Sequence, residues 1–275
     1  MSMRFRDKVV LVTGSATGIG KAIALRCAAE GARVVIHGLE EDLVAGVVAG
    51  LGPAAVGHVE ELTTDGCPGR LVDLAVRSFG RLDAVVNNAA IVASGDLHAT
   101  DAALFDRVMA VNALVPLLVI QASLPHLRAV RGCVLNIGSV NAHCGESGLL
   151  AYSMSKGALM TLTRNLGDVL MRDEGVRVNQ LNPGWVLTEN EIRRKRGHGL
   201  PDDWTTHLPR EFAPAGRLLE PAEIAAAAAY WLSDECGPVS GQVCDLEQHP
   251  FIGRNPPKNV ETMATARPDR GQAGP

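Results

Sequence analysis

Short runs of β-branched and aliphatic residues recur along this chain, each followed by a turn signal and then by a stretch with helical spacing. The first, Val9 to Val12, is apolar at every position, which suits a strand buried on both faces. Apolar residues then repeat at helical intervals from Lys21 to Glu30, and the pattern stops near Gly31. Further strands are predicted at Val34 to Ile36, Ala54 to Val59, Leu82 to Val86, Val134 to Ile137, Arg177 to Leu181 and Gly241 to Leu246. The intervening helical patterns begin near Glu41, and run through Leu71 to Phe79, Asp101 to Leu127, Tyr152 to Met171 and Pro221 to Leu232. Pro116 predicts a bend within its helix, because proline removes an interior hydrogen bond. This alternation predicts an α/β protein: an open, mostly parallel sheet covered by helices on both faces. The segment 186–213 is less regular and reads as a substrate loop or lid, poor in core character; 253–275, rich in Pro and Gly, reads as an extended or disordered tail after a single domain at 1–252.

Residues 13–20, TGSATGIG, join the first strand to the first helix. Gly14 permits a tight turn, Gly18 lets a ligand approach the backbone, and Gly20 lets helix and sheet pack. With a helix N-terminus behind it, this loop suits a pyrophosphate. An Asp or Glu ending the second strand would bind the ribose hydroxyls of an adenosine, but the chain offers His37, Gly38 and Leu39 there. Glu60, Glu61 and Leu62 close the third strand, while Asn87, Asn88, Ala89 and Ala90 close the fourth. Adjacent amides at such a place either make a plain turn or hold neighbouring loops through side-chain bonds to backbone.

A length of 275 residues suits one α/β core, and a net charge of −4 disfavours a general nucleic-acid surface. The first residues carry charge and lead straight into a strand, and no stretch reads as a membrane span, so a cytoplasmic protein is expected. Six dispersed cysteines lack paired ligand spacing and read as small core residues of a reducing compartment; no metal site is expected. The hydrolase signature G-x-S-x-G is absent.

Tyr152 and Lys156 stand one helical turn apart and share a face, either as a ring stacked on a lysine stem or as a reactive pair. Ser139, ending the fifth strand, brings a hydroxyl to the same end of the sheet, and Asn112 is a fourth polar candidate. His143 either lines a pocket or packs. The basic run Arg193 to Arg196 is a solvated face or an acid-binding one.

Taken in order, TGSATGIG, NNAA at 87–90, Asn112, Ser139, YSMSK from Tyr152 to Lys156, and Pro183-Gly184 resemble the classical short-chain dehydrogenase/reductase family over about residues 5–250. The resemblance implies a doubly wound, Rossmann-like three-layer fold with a seven-stranded parallel sheet, assembled as a homotetramer or homodimer. It implies a catalytic tetrad of Asn112, Ser139, Tyr152 and Lys156 and a nicotinamide cofactor. Gly14, Ser15, Thr17, Gly18, Ile19 and Gly20 would then meet the cofactor's phosphates, and His37, Gly38, Leu39, Glu61 and Leu62 its adenosine. Asn88, Ala89 and Ala90 would line its middle. Tyr152, Lys156, Pro183, Gly184, Val186 and Thr188 would surround the nicotinamide, whose carboxamide Thr188 contacts in the family.

The implied reaction interconverts a secondary alcohol and a ketone, with Tyr152 as acid and base. Cationic Lys156 and the oxidised ring would favour phenolate; moving the phenol by roughly three pKa units corresponds to about 4 kcal/mol. Ser139 would hold the substrate oxygen, and Asn112 a water joining Lys156 to solvent. Asn141, His143 and Trp185 would complete the pocket beside Ser139 and Tyr152. NADP is slightly favoured over NAD, because Gly38 lacks the acid that repels a 2′-phosphate while Ser15, Thr17, Arg33 and His37 stand nearby. Asp245, Leu246 and Glu247 stand where relatives carry Asp-Gly-Gly, which should alter a subunit contact or the pocket floor, and residues 249–257 would reach across a neighbouring subunit. An epimerase or dehydratase on the same fold, and a cofactor-binding regulatory or scaffold protein with little turnover, are the alternatives.

Overall fold

The computed structural model describes residues 3–250 together with Val260 and Met263. Seven strands form one sheet: β1 (Val9–Val12), β2 (Arg33–Gly38), β3 (Ala55–Val59), β4 (Ala84–Asn87), β5 (Cys133–Ile137), β6 (Arg177–Pro183) and β7 (Val243–Leu246). Their order is β3-β2-β1-β4-β5-β6-β7, and every neighbouring pair is parallel. The seven-stranded doubly wound architecture expected from the sequence is therefore present.

The two-residue period of a strand explains the layers. Val10 and Val12 face a core shared with α1 (Gly18–Ala29) and α9 (Pro221–Leu232), whereas Val9 and Leu11 face the opposite core. That second core includes residues of α3 (Cys67–Phe79), α5 (Val115–Val130) and α7 (Leu150–Glu174). α2 (Glu41–Leu51) lies on the first side, sending Val44 and Val47 into it. Because chain order reverses between β1 and β4, the loops at their carboxyl ends diverge and leave a crevice, the usual ligand position in an open α/β sheet.

α4 (Ala102–Met109) is capped by Asp101, whose carboxylate accepts the Leu104 N–H at 2.8 Å. The bend expected at Pro116 occurs one turn earlier, as a π-helical turn at Ala110–Leu114. Pro116 itself occupies the first turn of α5, where its missing N–H is harmless. The continuous stretch Ala102–Val130 has the length and apolarity to cross a membrane, contrary to the sequence expectation. Here it lies in the helical layer, with α5 against α3 and α4 against α7.

The irregular segment has more core than expected. Residues on both sides of α8 (Glu189–Gly197) form a small cluster of Trp185, Leu200, Trp204, Ala213 and Leu218, in which the two indoles stack with centroids 5.4 Å apart. Met263 packs against this cluster; the rest of the expected tail, and residues 251–257 of the expected intersubunit arm, lie outside the described residues.

Candidate active site

A cleft of about 430 Å³ opens along the carboxyl ends of the strands. Its floor begins with the glycine loop. Gly14 (φ 61°) and Gly18 (φ 55°) adopt left-handed conformations, and a Cβ on Gly14 would stand 2.9 Å from the Ala89 backbone. The amides after β4 hold this turn. Asn88 Nδ2 donates to the carbonyls of Thr13 (2.9 Å) and Gly14 (3.0 Å), while Thr13 Oγ1 accepts the N–H groups of Asn88 and Ala89. Thr17, Gly18 and Ile19 line the cleft at the start of α1, whose first turn carries no acidic residue. Gly20 instead faces Asn88, which a Cβ would meet at 2.4 Å; its part is packing.

Two expected phosphate contacts are otherwise engaged. Ser15 is buried, its hydroxyl donating to Val12 O at 2.7 Å and accepting the His37 N–H at 3.0 Å. The His37 ring accepts the Gly14 N–H at Nδ1 (3.1 Å), which requires its proton on Nε2, where it meets Glu60 O at 2.9 Å. Burial lowers the imidazole pKa as well, so this ring is neutral. Arg33 stands at the opposite end of β2, its guanidinium 5.7 Å from the Phe79 ring centroid. His37, Gly38, Leu39, Glu40, Glu61 and Leu62 line this end of the cleft.

Three of the four tetrad candidates, Ser139, Tyr152 and Lys156, line this cleft from the end of β5 and from α7, whereas Asn112 is not among the lining residues. Ser139 leaves β5 with its N–H donated to Asn182 Oδ1 (3.1 Å), and its Oγ accepts the Asn141 N–H (3.1 Å). Tyr152 and Lys156 lie in the first turns of α7, the Lys156 ammonium 5.6 Å from the Tyr152 ring centroid. Lys156 Nζ donates to Ile137 O at 2.8 Å. Withdrawal from water pushes the Tyr152 phenol up to about 12, against a lowering hydrogen bond with Ser139. The same cause brings the Lys156 ammonium down to about 8.

Asn112 sits in the π turn, a distortion common at functional sites. Its Oδ1 accepts the Ile91 N–H at 2.8 Å, and its Nδ2 donates to Ile91 O and Ser155 Oγ, both at 3.0 Å. Both amide protons are spent on joining the loop after β4 to α7.

Asn141 and Trp185 line the cleft as expected, joined by Glu146, Glu191, Arg193 and Arg194. His143 does not reach it: in α6 (Asn141–Cys144) it pairs through Nε2 with Asp245 Oδ1 at 2.9 Å. The basic run is sorted by partner rather than uniformly solvated. Arg194 binds Glu191 through two hydrogen bonds of 2.9 Å, Arg196 meets Asp202 at 2.7 Å, and Lys195 is buried 5.2 Å from the Trp185 ring centroid. Arg193 lines the cleft beside Asn190. Thr188 caps α8 by accepting the Glu191 N–H at 3.1 Å and stands beside Gly18.

Glu247 explains one departure in the last strand. Its carboxylate accepts the N–H groups of Trp185 (2.9 Å) and Gln248 (2.8 Å), pinning the turn that carries Trp185 into the cleft. A Cβ on Gly184 would overlap that carboxylate at 1.9 Å, so a glycine next to the indole is needed.

The family described as enoyl-(acyl carrier protein) reductase matches residues 14–247. 2-(S)-hydroxypropyl-CoM dehydrogenase 3 of Xanthobacter autotrophicus is 33% identical over 245 residues, 88% of this chain and 95% of the relative. L-fucose dehydrogenase of Bos taurus is 35% identical over 239 residues, covering 85% of this chain and 86% of the relative. Among solved structures, 3-ketoacyl-(acyl-carrier-protein) reductase from Brucella melitensis, complexed with NADH, is similar with a TM-score of 0.80 and 27% identity, covering 90% of this chain and all of that one.

Proposed function

This chain belongs to the classical short-chain dehydrogenase/reductase family, and from that premise we propose that it interconverts a secondary alcohol and a ketone with Tyr152 as the acid and base. The observation that carries this reading is the convergence of Ser139, Tyr152 and Lys156 on one cleft with the glycine loop. The cleft fits a nicotinamide dinucleotide. Its loop has no room for a Cβ at Gly14, and it leads to a helix N-terminus without an acidic side chain. Thr17, Gly18 and Ile19 would hold the pyrophosphate, and Pro183, Gly184, Val186 and Thr188 the nicotinamide end. When bound, the cofactor supplies or accepts the hydride.

The protein's own work is protonic and positional. Ser139 Oγ and the Tyr152 hydroxyl would both bond the reacting oxygen, fixing the carbon beside them. In reduction Tyr152 gives its proton to that oxygen; in oxidation it takes one back. Lys156 contributes a buried positive charge near the phenol, anchored on Ile137 O. Asn112 acts as a positioning residue, and a bridging water beside Lys156 would use backbone carbonyls of the wide turn rather than the committed amide protons.

We read the cofactor as NAD. Of the four side chains that favoured NADP, three offer no charge or free hydroxyl here: His37 is neutral, Ser15 is enclosed, and Arg33 is at the far end of its strand, which leaves Thr17 at the pyrophosphate loop. Glu40 brings a carboxylate to the lining at this end. A carboxylate about 4 Å away would repel each unit of 2′-phosphate charge by about 1 kcal/mol in a water-like setting, so a phosphate carrying about −1.5 to −2 loses roughly tenfold or more in affinity.

The test is a screen of secondary alcohols and ketones with the purified protein and each cofactor, following nicotinamide absorbance. Turnover is expected, with kcat/KM favouring NADH over NADPH by at least about tenfold, and Glu40→Gln should narrow that ratio. Dinucleotide binding without turnover across the panel would instead favour the regulatory reading. A pH profile adds a second check, because kcat/KM reports groups of the free protein. The Lys156 charge is present below about 8 and lost above it. Ketone reduction should therefore fall as pH rises through that value, approaching about tenfold per further unit. Lys156→Arg, charged throughout, should remove that limb if it retains activity.

A further inference from the structure

Beyond the adenine end of the cleft, a group of side chains has no part in the chemistry above. His58 lies in β3, Glu60 directly follows that strand, and Cys67 is the first residue of α3. One ligand atom from each lies within 4.8 Å of the other two. His58 Nε2 donates to Glu60 Oε2 at 2.8 Å. Arg70 holds Glu60 Oε1 at 2.5 Å and Oε2 at 3.1 Å, and is itself anchored on Asp65 O at 2.9 Å. Cys67 is buried, whereas the His58 and Glu60 side chains are each 21% exposed, so the cluster has a closed sulfur side and a side reached by water.

We propose that His58 Nε2, Glu60 Oε2 and Cys67 Sγ form a binding site for a thiophilic divalent cation of the zinc class, with a fourth position open to water. The donor set is one imidazole, one carboxylate and one thiolate, a combination suited to a borderline-soft ion and unsuited to magnesium or calcium. Ligands at about 2.0–2.3 Å from a tetrahedral centre lie roughly 3.3–3.8 Å from each other. The cluster reaches that spacing by parting the His58–Glu60 contact and drawing the other atoms inward by about an ångström. Arg70 keeps Glu60 Oε1 and so becomes the outer partner that orients the ligating oxygen. To ligate through Nε2, His58 carries its one ring proton on Nδ1, which exposes the Nε2 lone pair. Cys67 releases its thiol proton to solvent, and no electron changes hands. The site adjoins the glycine loop through two hydrogen bonds: Glu60 O receives the His37 Nε2 proton, and His37 Nδ1 receives the Gly14 N–H. Paired cysteine spacing is no guide to it, since its donors come from the end of a strand and the start of the next helix.

The test uses the full-length protein, stripped with a chelator and titrated calorimetrically with zinc chloride, with magnesium chloride as the hard-cation control. One tight equivalent of zinc is expected, and no magnesium. Cys67→Ala and His58→Gln should each weaken zinc binding by more than about 100-fold, since even outer partners of a metal site cost 10–100-fold. Cobalt chloride should give a thiolate-to-metal charge-transfer band that Cys67→Ala abolishes. His58→Gln, at a partly exposed position, serves if the buried Cys67 variant fails to fold. The proposal is overturned if zinc does not bind, if binding is unchanged in His58→Gln, or if the cobalt complex lacks the thiolate band.

Discussion

Tyr152→Phe is expected to lower kcat by about 100- to 10,000-fold while leaving dinucleotide affinity within a few-fold. The substitution keeps the ring beside Lys156 and removes only the hydroxyl. Because burial holds that hydroxyl at about 12, it is the protonated, donating form that would be lost at neutral pH. Reduction should therefore suffer at every accessible pH, with no recovery on acidification, because the Lys156 ammonium is directed at Ile137 O and the Ser139 hydroxyl is a weaker acid than the phenol. The measurement is single-turnover absorbance of the nicotinamide, paired with fluorescence titration of the dinucleotide. A variant that turned over like the parent would remove Tyr152 from the proton transfer; one that lost dinucleotide binding would show a structural role instead.

The contrast between what sequence made visible and what it hid follows physical lines. Buried parallel strands announce themselves by uninterrupted apolar runs, so β1, β5 and β6 were legible within a few residues, and the glycine loop with them. Tyr152 and Lys156 were legible because a helix makes their separation a shared face. Charge state was not. His37 looks like a cation in sequence and is neutral because two backbone groups, one from each neighbouring loop, fix its tautomer. Glu40 looks like the start of α2 and also faces the cleft. The run from Arg193 to Arg196 looks uniform, but Glu191, Asp202 and the Trp185 ring divide it. Trp185 and Trp204 make a small core out of a segment with no periodicity, and only their stacking in space could reveal it.

Asn182→Ala should produce the largest loss of stability among the residues near the site, about 2–5 kcal/mol, together with a fall in kcat of roughly tenfold to 100-fold. Asn182 belongs to a line of polar side chains crossing beneath Ser139. Asn87 Nδ2 donates to Asn136 Oδ1, Asn136 Nδ2 to Thr163 Oγ1, and Gln180 Nε2 to Asn182 Oδ1. Thr163 stands 2.8 Å from Gln180 Oε1, and Asn182 Nδ2 donates to Asp245 Oδ1 at 2.9 Å. The same Asn182 Oδ1 takes the Ser139 N–H, so its removal leaves that donor and Gln180 Nε2 unpaired in a buried place. Gly138 leaves no room for a substitute there, since a Cβ would come within 2.0 Å of Asn182 Oδ1. Gln180→Leu separates the two effects. It breaks the line one step away without touching Ser139, so it should cost stability while leaving kcat near that of the parent. Thermal or urea unfolding measures the first quantity and steady-state kinetics the second. If Asn182→Ala kept full kcat, the hold on the Ser139 backbone would have no share in positioning the hydroxyl. If both variants unfolded like the parent, the buried line would contribute nothing net to the fold.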